Sequence, residues 1–215
     1  MIFEQIRTGG DRNFGYLLAD RDAGQGVLID PSYSPEVVVK RAFHQGISIT
    51  HIINTHGHSD HTNGNDLASK LTGASVTAHP ESPTTADVQL TNGQKIKIGK
   101  LQLECQYTPG HCADHIVLYE PENKVLITGD LLFVGKVGGT KNDDDARVEW
   151  KSLQSLIETM PDEVTVWPGH DYGARPSSTI GLEKTTNPFL RCSDVTAFLQ
   201  LKHEWPKIKQ QLGLV

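Results

Sequence analysis

No apolar run in this 215-residue chain approaches the ~20 residues that span a bilayer, so no membrane is expected as a partner. No block of Lys and Arg stands out either. With 20 basic residues against 26 acidic ones and a net charge of −6, nucleic acid is not an expected partner. The densest basic stretch, KIKIGK at 95–100, reads as the outward face of a hairpin strand. Only three cysteines are present, Cys105, Cys112 and Cys192, and no CxxC pair. That odd count fits a reducing compartment rather than a disulfide framework. The first twenty residues, MIFEQIRTGGDRNFGYLLAD, have no basic segment leading into an apolar one. The expectation is therefore a soluble, cytoplasmic protein of one domain, 1–215.

What the chain does have is turns, with 20 glycines, and a regular alternation of strands and helices. IFEQIR and FGYLLAD read as paired strands around Gly9-Gly10, and GVLIDPS as a buried strand ending in Asp and Pro. SPEVVVKRAFHQG reads as a helix entered at Ser34-Pro35 and stopped at Gly46. ITHIINT is the next strand, Asn63 or Asn65 is expected to cap the helix DLASKLTG, and ASVTAHP is again a strand. From residue 90 the pattern shifts to hairpins, with HIVLY pairing with KVLIT across EPEN. Val148, Leu153, Leu156, Ile157 and Met160 then recur at helical spacing, EVTVW is a strand, and a capped helix with one or two more follows from about Ser177. Polar residues gather at strand C-termini, where α/β folds build sites.

One such strand runs into NTHGHSDHTNGN, residues 54–65, with His56, His58, Asp60 and His61 inside six positions. In an extended segment, positions i and i+2 point the same way, so His56 and His58 can face one ion. Asp60 and His61 follow where the loop turns into a helix and can face a point a few ångströms away. Two metals separated by roughly 3.5–4 Å are the natural reading. A solvated His-rich loop is the bland alternative, and three further segments weigh against it. TPGH, TGD and WPGH bring His111, Asp130 and His170 to strand ends, each behind a glycine that lets the backbone come close.

The pattern HxHxDH (His56, His58, Asp60, His61) followed by His111, Asp130 and His170 resembles that of the metallo-β-lactamase superfamily. The resemblance spans about residues 13 to 175. It implies an α/β fold, an αβ/βα four-layer sandwich of two mixed sheets with helices outside. It also implies the ligand sets: His56, His58 and His111 for one metal; Asp60, His61 and His170 for the other; Asp130 as the bridge. Two divalent ions, zinc first and iron or manganese as alternatives, would lower the pKa of a bound water to near ~7 and so supply a bridging hydroxide. Asp60 and Asp130 are the carboxylates expected to matter most for catalysis.

Within the superfamily, TPGHCADH and GDLLFVG resemble the glyoxalase II (hydroxyacylglutathione hydrolase) group. WPGHDYG and TIGLEKTTNPFL resemble the persulfide dioxygenase ending. The main expectation is hydrolysis of a thioester or similar acyl bond of a small thiol-derived substrate. The alternative is an Fe(II)-dependent persulfide dioxygenase holding one iron by His56, His111 and Asp130. Both relatives carry a basic residue, used to hold glutathione, where this chain has Gly139; Lys136 or Lys141 is the expected substitute. Tyr172 and His115 are candidates for substrate contact or for ordering the ligands. Cys112, beside His111, is expected to be a structural thiol. His44, His51, His79 and His203 are read as structural or surface residues, and Asp143 to Asp145 as a helix N-terminus. Asp11, Glu149 and Asp171 carry no assigned role.

Overall fold

The computed structural model describes residues 1–211; residues 212–215, the end of the expected domain, lie outside the described residues. The first sheet is built from β1 (Ile2–Gly9), β2 (Asn13–Asp20), β3 (Gln25–Ile29), β4 (Ser48–Ile53), β5 (Ser75–Ala78) and β6 (Val88–Gln89), in that order. β1, β2 and β3 are antiparallel neighbours, and β3 to β6 run parallel. Between them lie α1 (Pro35–His44), α2 (Ser59–Thr62) and α3 (Asn65–Thr72). The second sheet contains β7 (Lys95–Ile98), β8 (Leu101–Tyr107), β9 (Ile116–Glu120) and β10 (Val125–Gly129), with a separate ribbon of β11 (Leu132–Phe133) and β12 (Lys136–Val137). After α4 (Asp143–Thr159) it is completed by β13 (Thr165–Pro168), parallel to β10, and β14 (Ser178–Thr179), antiparallel to β13. The chain continues as α5 (Ile180–Thr186) and α6 (Val195–Gln211).

The four layers follow from strand periodicity. Alternate residues of β2 point to opposite faces. Tyr16 and Leu18 face the other sheet, joining Val27, Ile29 and Ile53 against Ile98, Leu103, Ile116, Leu118 and Ile127. Leu17 and Ala19 face outward, against Val38 and Ala42 of α1 and Ala68 of α3. The second sheet does the same: Val117, Leu126 and Val166 face outward against Leu153 and Leu156 of α4 and Phe198 of α6. A strand buried on both faces reads as a continuous apolar run, as β2 and β3 do.

Several local expectations need correction. Neither Asn63 nor Asn65 caps α3: the N-cap is Gly64, without a side-chain bond. Asn63 accepts from the Tyr33 amide, and Asn65 exchanges hydrogen bonds with Asn54, which steadies the ligand loop from below. Ser34 stands at the α1 N-cap but makes no capping bond. Val148 faces solvent on α4, and Met160 is the residue that terminates the helix. The acidic run does open α4, with Asn142 accepting from the Asp145 amide at 2.9 Å and three carboxylates at the positive end of the helix dipole. Thr179 caps α5 through the Leu182 amide.

Candidate metal centre

Four strand ends meet at one edge of the sandwich. β4 leads to His56, β8 to His111, β10 to Asp130 and β13 to His170. Backbone bonds lock these ends together: the Phe14 amide donates to Gly169 O at 2.9 Å, the Gly169 amide to Gly129 O at 2.7 Å, and the Ile116 amide to Thr55 O at 2.8 Å. Glycine at 169 is obligatory, because a Cβ there would strike Asp130 Oδ1 and lie 2.9 Å from His61 Cε1.

Four of the five candidate ligand rings have a partner for Nδ1 outside the cluster. Thr55 Oγ1 donates to Asp30 Oδ2 at 2.6 Å, which leaves it to accept from His56 Nδ1 at 3.1 Å. His61 Nδ1 donates to Asp30 Oδ2 at 2.9 Å, His111 Nδ1 to Gly139 O at 2.7 Å, and His170 Nδ1 to Asp11 O at 2.8 Å. A neutral imidazole has one donor and one acceptor nitrogen, so these four rings turn Nε2 lone pairs inward. Those nitrogens crowd: His56 Nε2 lies 3.1 Å and His111 Nε2 3.0 Å from His58 Nδ1, and His61 Nε2 lies 3.2 Å from His170 Nε2. Asp130 Oδ1 is buried with no hydrogen-bond partner. It lies 3.4 Å from His61 Nε2, while Oδ2 lies 3.3 Å from His170 Nε2 and 3.7 Å from His111 Nε2. Asp60 Oδ2 lies 3.4 Å from His170 Nε2 and 3.6 Å from His61 Nε2, held by Asn13 Nδ2 at 3.0 Å.

Converging lone pairs and an orphaned carboxylate oxygen fit cations, which no hydrogen bond within the set can replace. Three groups have ligand atoms all within 4.8 Å of one another: His56, His58 and His111; His56, His61 and Asp130; Asp60, His61 and His170. All seven sequence candidates are thus brought together, and the groups share His56 and His61.

The electrostatics without metal follow from the same geometry. Burial pushes His56 down, and it pushes His115 down to about 3. Burial alone would lower His61, but Asp130 and Asp30 raise it well above the usual imidazole range. Burial would also lower His170, yet hydrogen bonds to Asp130 and Asp60 raise it to about 9. The His170 hydrogen bond, with that from Asn13, holds Asp60 low against the effect of burial. Burial would raise Asp130, but His61, His170 and His56 hold it well below the carboxylate range.

His115 is fully buried; its Nε2 accepts from the Asp130 amide at 3.1 Å and Nδ1 meets Thr108 Oγ1 at 2.9 Å. It orders the Asp130 turn rather than facing substrate. Tyr172 stacks on His170 (centroids 4.6 Å apart, 7° between planes) and donates to Asp11 Oδ2 at 2.5 Å. Lys136 Nζ sits 3.8 Å from the Tyr172 ring centroid, and burial lowers it to about 8. Lys136 and Lys141 line one cavity of about 360 Å³ with Gly139, Lys202, Trp205 and Lys209. Cys112 is half-buried, and burial raises its thiol. His79 stacks on Tyr107 at 4.4 Å, outside the cluster.

Sequence reasoning missed Asp30, Asn13 and Asp11, which hold the second group of ligands. Asp30 was visible only as the residue ending β3. Its φ of 47°, uncommon for a non-glycine residue, has no signature in one sequence.

A profile described as Metallo-beta-lactamase superfamily matches residues 8–85 and 80–170. The chain belongs to that superfamily, and its two mixed sheets with outer helices are that fold. Within it, a hydroxyacylglutathione hydrolase of a Polaromonas species is 32% identical across 98% of this chain and 94% of its own length. The human mitochondrial persulfide dioxygenase ETHE1 is 31% identical across 84% of this chain and 72% of its own. Among solved structures, ETHE1 from Myxococcus xanthus superposes with a TM-score of 0.88 at 30% identity, covering 95% of this chain and 91% of that one. TTHA1623 in a di-iron-bound form gives 0.72 at 28% identity, with 87% and 100% covered. The superfamily makes this chain a metalloenzyme whose relatives act on small molecules, and no helix among the described residues is long and apolar enough to cross a membrane.

Proposed function

We propose that this chain is a metal-dependent hydrolase of the glyoxalase II-like type, acting on a thioester or similar acyl bond with two divalent ions, zinc by preference. His56, His58 and His111 would hold one ion, Asp60, His61 and His170 the other, with Asp130 between them. The observation that carries the reading is that the second group is as well built as the first. Asp60 is held by Asn13, His61 by Asp30 and His170 by Asp11. A mononuclear site has no need of those supports.

Bound metal would supply Lewis acidity and a water acidified from ~15.7 toward ~7. The chain supplies the rest. His56, His61 and His170 are almost wholly buried, which keeps competing water from their lone pairs. His115, neutral through burial, fixes the Asp130 amide. Lys136 and Lys141, in the cavity beside Tyr172, would take an anionic end of the thiol carrier, in place of the basic residue absent at Gly139.

A second reading has its own support. The TM-score of 0.88 is with an ETHE1 structure, and the human relative is a persulfide dioxygenase, so an Fe(II) enzyme using His56, His111 and Asp130 is the alternative. The deciding experiment purifies the chain without added metal, then loads Zn²⁺ or Fe²⁺. Thioester cleavage by the Zn²⁺ form without oxygen supports hydrolysis. Oxygen consumption with a persulfide by the Fe²⁺ form alone, with no thioesterase activity in either, overturns it.

A further inference from the structure

Behind the metal centre lies an ion pair that the reaction does not use. Glu149 of α4 is fully buried, and its Oε2 pairs with Lys202 Nζ of α6. Its other oxygen, Oε1, has no hydrogen-bond partner. A buried pair of this kind is weak evidence for stability, because desolvation offsets the attraction. Its geometry gives it a different task. Lys202 Nζ also donates to Gly138 O at 3.0 Å. The next carbonyl, Gly139 O, accepts from His111 Nδ1 at 2.7 Å. Gly138 has no room for a side chain: a Cβ would strike Asp130 O and lie 3.0 Å from His111 Nδ1 and 3.1 Å from Glu149 Oε1. Two adjacent glycines carry no side chains to anchor themselves, so the carbonyl that orients His111 depends on whatever grips the preceding peptide.

We infer that Glu149 and Lys202 are positioning residues: Glu149 fixes the Lys202 ammonium, Lys202 grips the Gly138 carbonyl, and the Gly139 carbonyl thereby fixes the tautomer and orientation of His111. The last helix, α6, is in this way coupled to the ligand set, although it contributes no ligand itself. Outer partners of metal-binding histidines have this effect generally, and losing one weakens metal affinity by roughly 10- to 100-fold.

The inference rests on the metal-binding reading only for its consequence; the positioning itself is readable without metal. The test compares wild type, Lys202→Met and the double variant Glu149→Met/Lys202→Met as metal-free, ¹⁵N-histidine-labelled proteins. A hydrogen-bonded Nδ1–H proton of His111, assigned by its loss in His111→Gln, is expected in wild type and expected to vanish in both variants. Replacing both charges with apolar chains is often neutral for stability, so the double variant should melt near wild type while its Zn²⁺ affinity, measured against a competing chelator, falls roughly 10- to 100-fold. A double variant that melts like wild type and keeps both the resonance and the affinity overturns the inference, leaving a structural pair only. If the double variant gives no cooperative transition, Lys202→Met decides alone. Burial pushes the Glu149 carboxyl up and Lys202 opposes that, so removing the ammonium lets Glu149 stay neutral in that variant; retention of the resonance below its melting temperature overturns the inference. Loss of the resonance in a chain that binds no Zn²⁺ in any form would uphold the positioning while sinking the proposed hydrolase.

Discussion

His61 Nε2 and His170 Nε2 face each other across 3.2 Å, although both rings have committed their Nδ1 protons elsewhere, to Asp30 and to the Asp11 carbonyl. Burial would lower both rings, but the carboxylates around them favour protons when no cation is there: Asp130 and Asp30 raise His61, and hydrogen bonds to Asp130 and Asp60 raise His170 to about 9. A folded-state pKa above the unfolded value of ~6.5 means that the folded chain binds the proton more tightly. The associated stability is full below pH ~6.5 and is lost as pH rises through about 9. The melting temperature of metal-free protein should therefore fall over that window. Zn²⁺-loaded protein should not show the fall, because the ion replaces the proton. Equal pH profiles with and without metal would contradict the assignment of these two rings to one ion.

Asp30 accepts from the Thr55 amide at 2.9 Å, from the Thr55 hydroxyl and from His61 Nδ1. Asp30→Asn keeps the volume but lets an amide face the ring. The expected result is a loss of roughly 10- to 100-fold in affinity for one of two Zn²⁺ ions, with the other retained. Stepwise titration with a chromophoric chelator separates the two. Uniform loss at both sites would mean that Asp30 supports the fold of the loop rather than the His61 ring.

These supports mark the limit of what one sequence reveals. The seven ligand candidates were legible because each follows a strand end, and four crowd into HGHSDH. The pairing of HIVLY with KVLIT was legible too, but its register was not: Glu120 joins the strand and pairs with Val125, and Leu118 pairs with Ile127. Asp11, Asn13 and Asp30 were not, because they reach the site from the first sheet, across 47 positions in the case of Asn13 and Asp60. Glu149 was invisible for a related reason. At its place in α4 it looks like one more surface carboxylate, and it is buried only by tertiary neighbours distant in sequence, Gly110, Gly138 and Lys202 of α6. Asn65 failed as a cap because its side chain had a better partner in Asn54, a tertiary contact that overrides local preference.

Lys136 is the group in the cavity best able to report on substrate charge. Burial lowers it to about 8, helped by the nearby Lys209 and Arg12 and opposed by Asp130 and Asp11. Its charge is present below that value and lost above it, so KM for an anionic thioester should rise as pH passes through about 8. Lys136→Arg, always charged, should remove that alkaline rise. Lys136→Ala should raise KM roughly tenfold or more at pH 7, the scale of one charge-assisted hydrogen bond, with kcat changed much less. A fall in kcat at constant KM would show that Lys136 meets the reacting atoms rather than the carrier.

Asp60→Ala separates the two candidate reactions at the level of a single ligand. Asp60 approaches His170 and His61 but belongs to neither His56, His111 nor Asp130 in its contacts. In a two-metal hydrolase its removal takes a charged ligand from the second ion. Thioesterase kcat should then fall at least 100-fold, with Zn²⁺ content dropping toward one per chain. In a mononuclear iron enzyme Asp60 lies outside the ligand triad, and oxygen uptake with a persulfide should survive within a few fold. Asn13, which donates to Asp60 at 3.0 Å, provides the control: Asn13→Ala should reproduce the direction of the Asp60→Ala effect more weakly, since it only loosens the carboxylate. Thioesterase activity that withstands Asp60→Ala at undiminished metal content would remove the dinuclear hydrolase. Oxygen uptake that survives in its place would assign the chain to the dioxygenase branch.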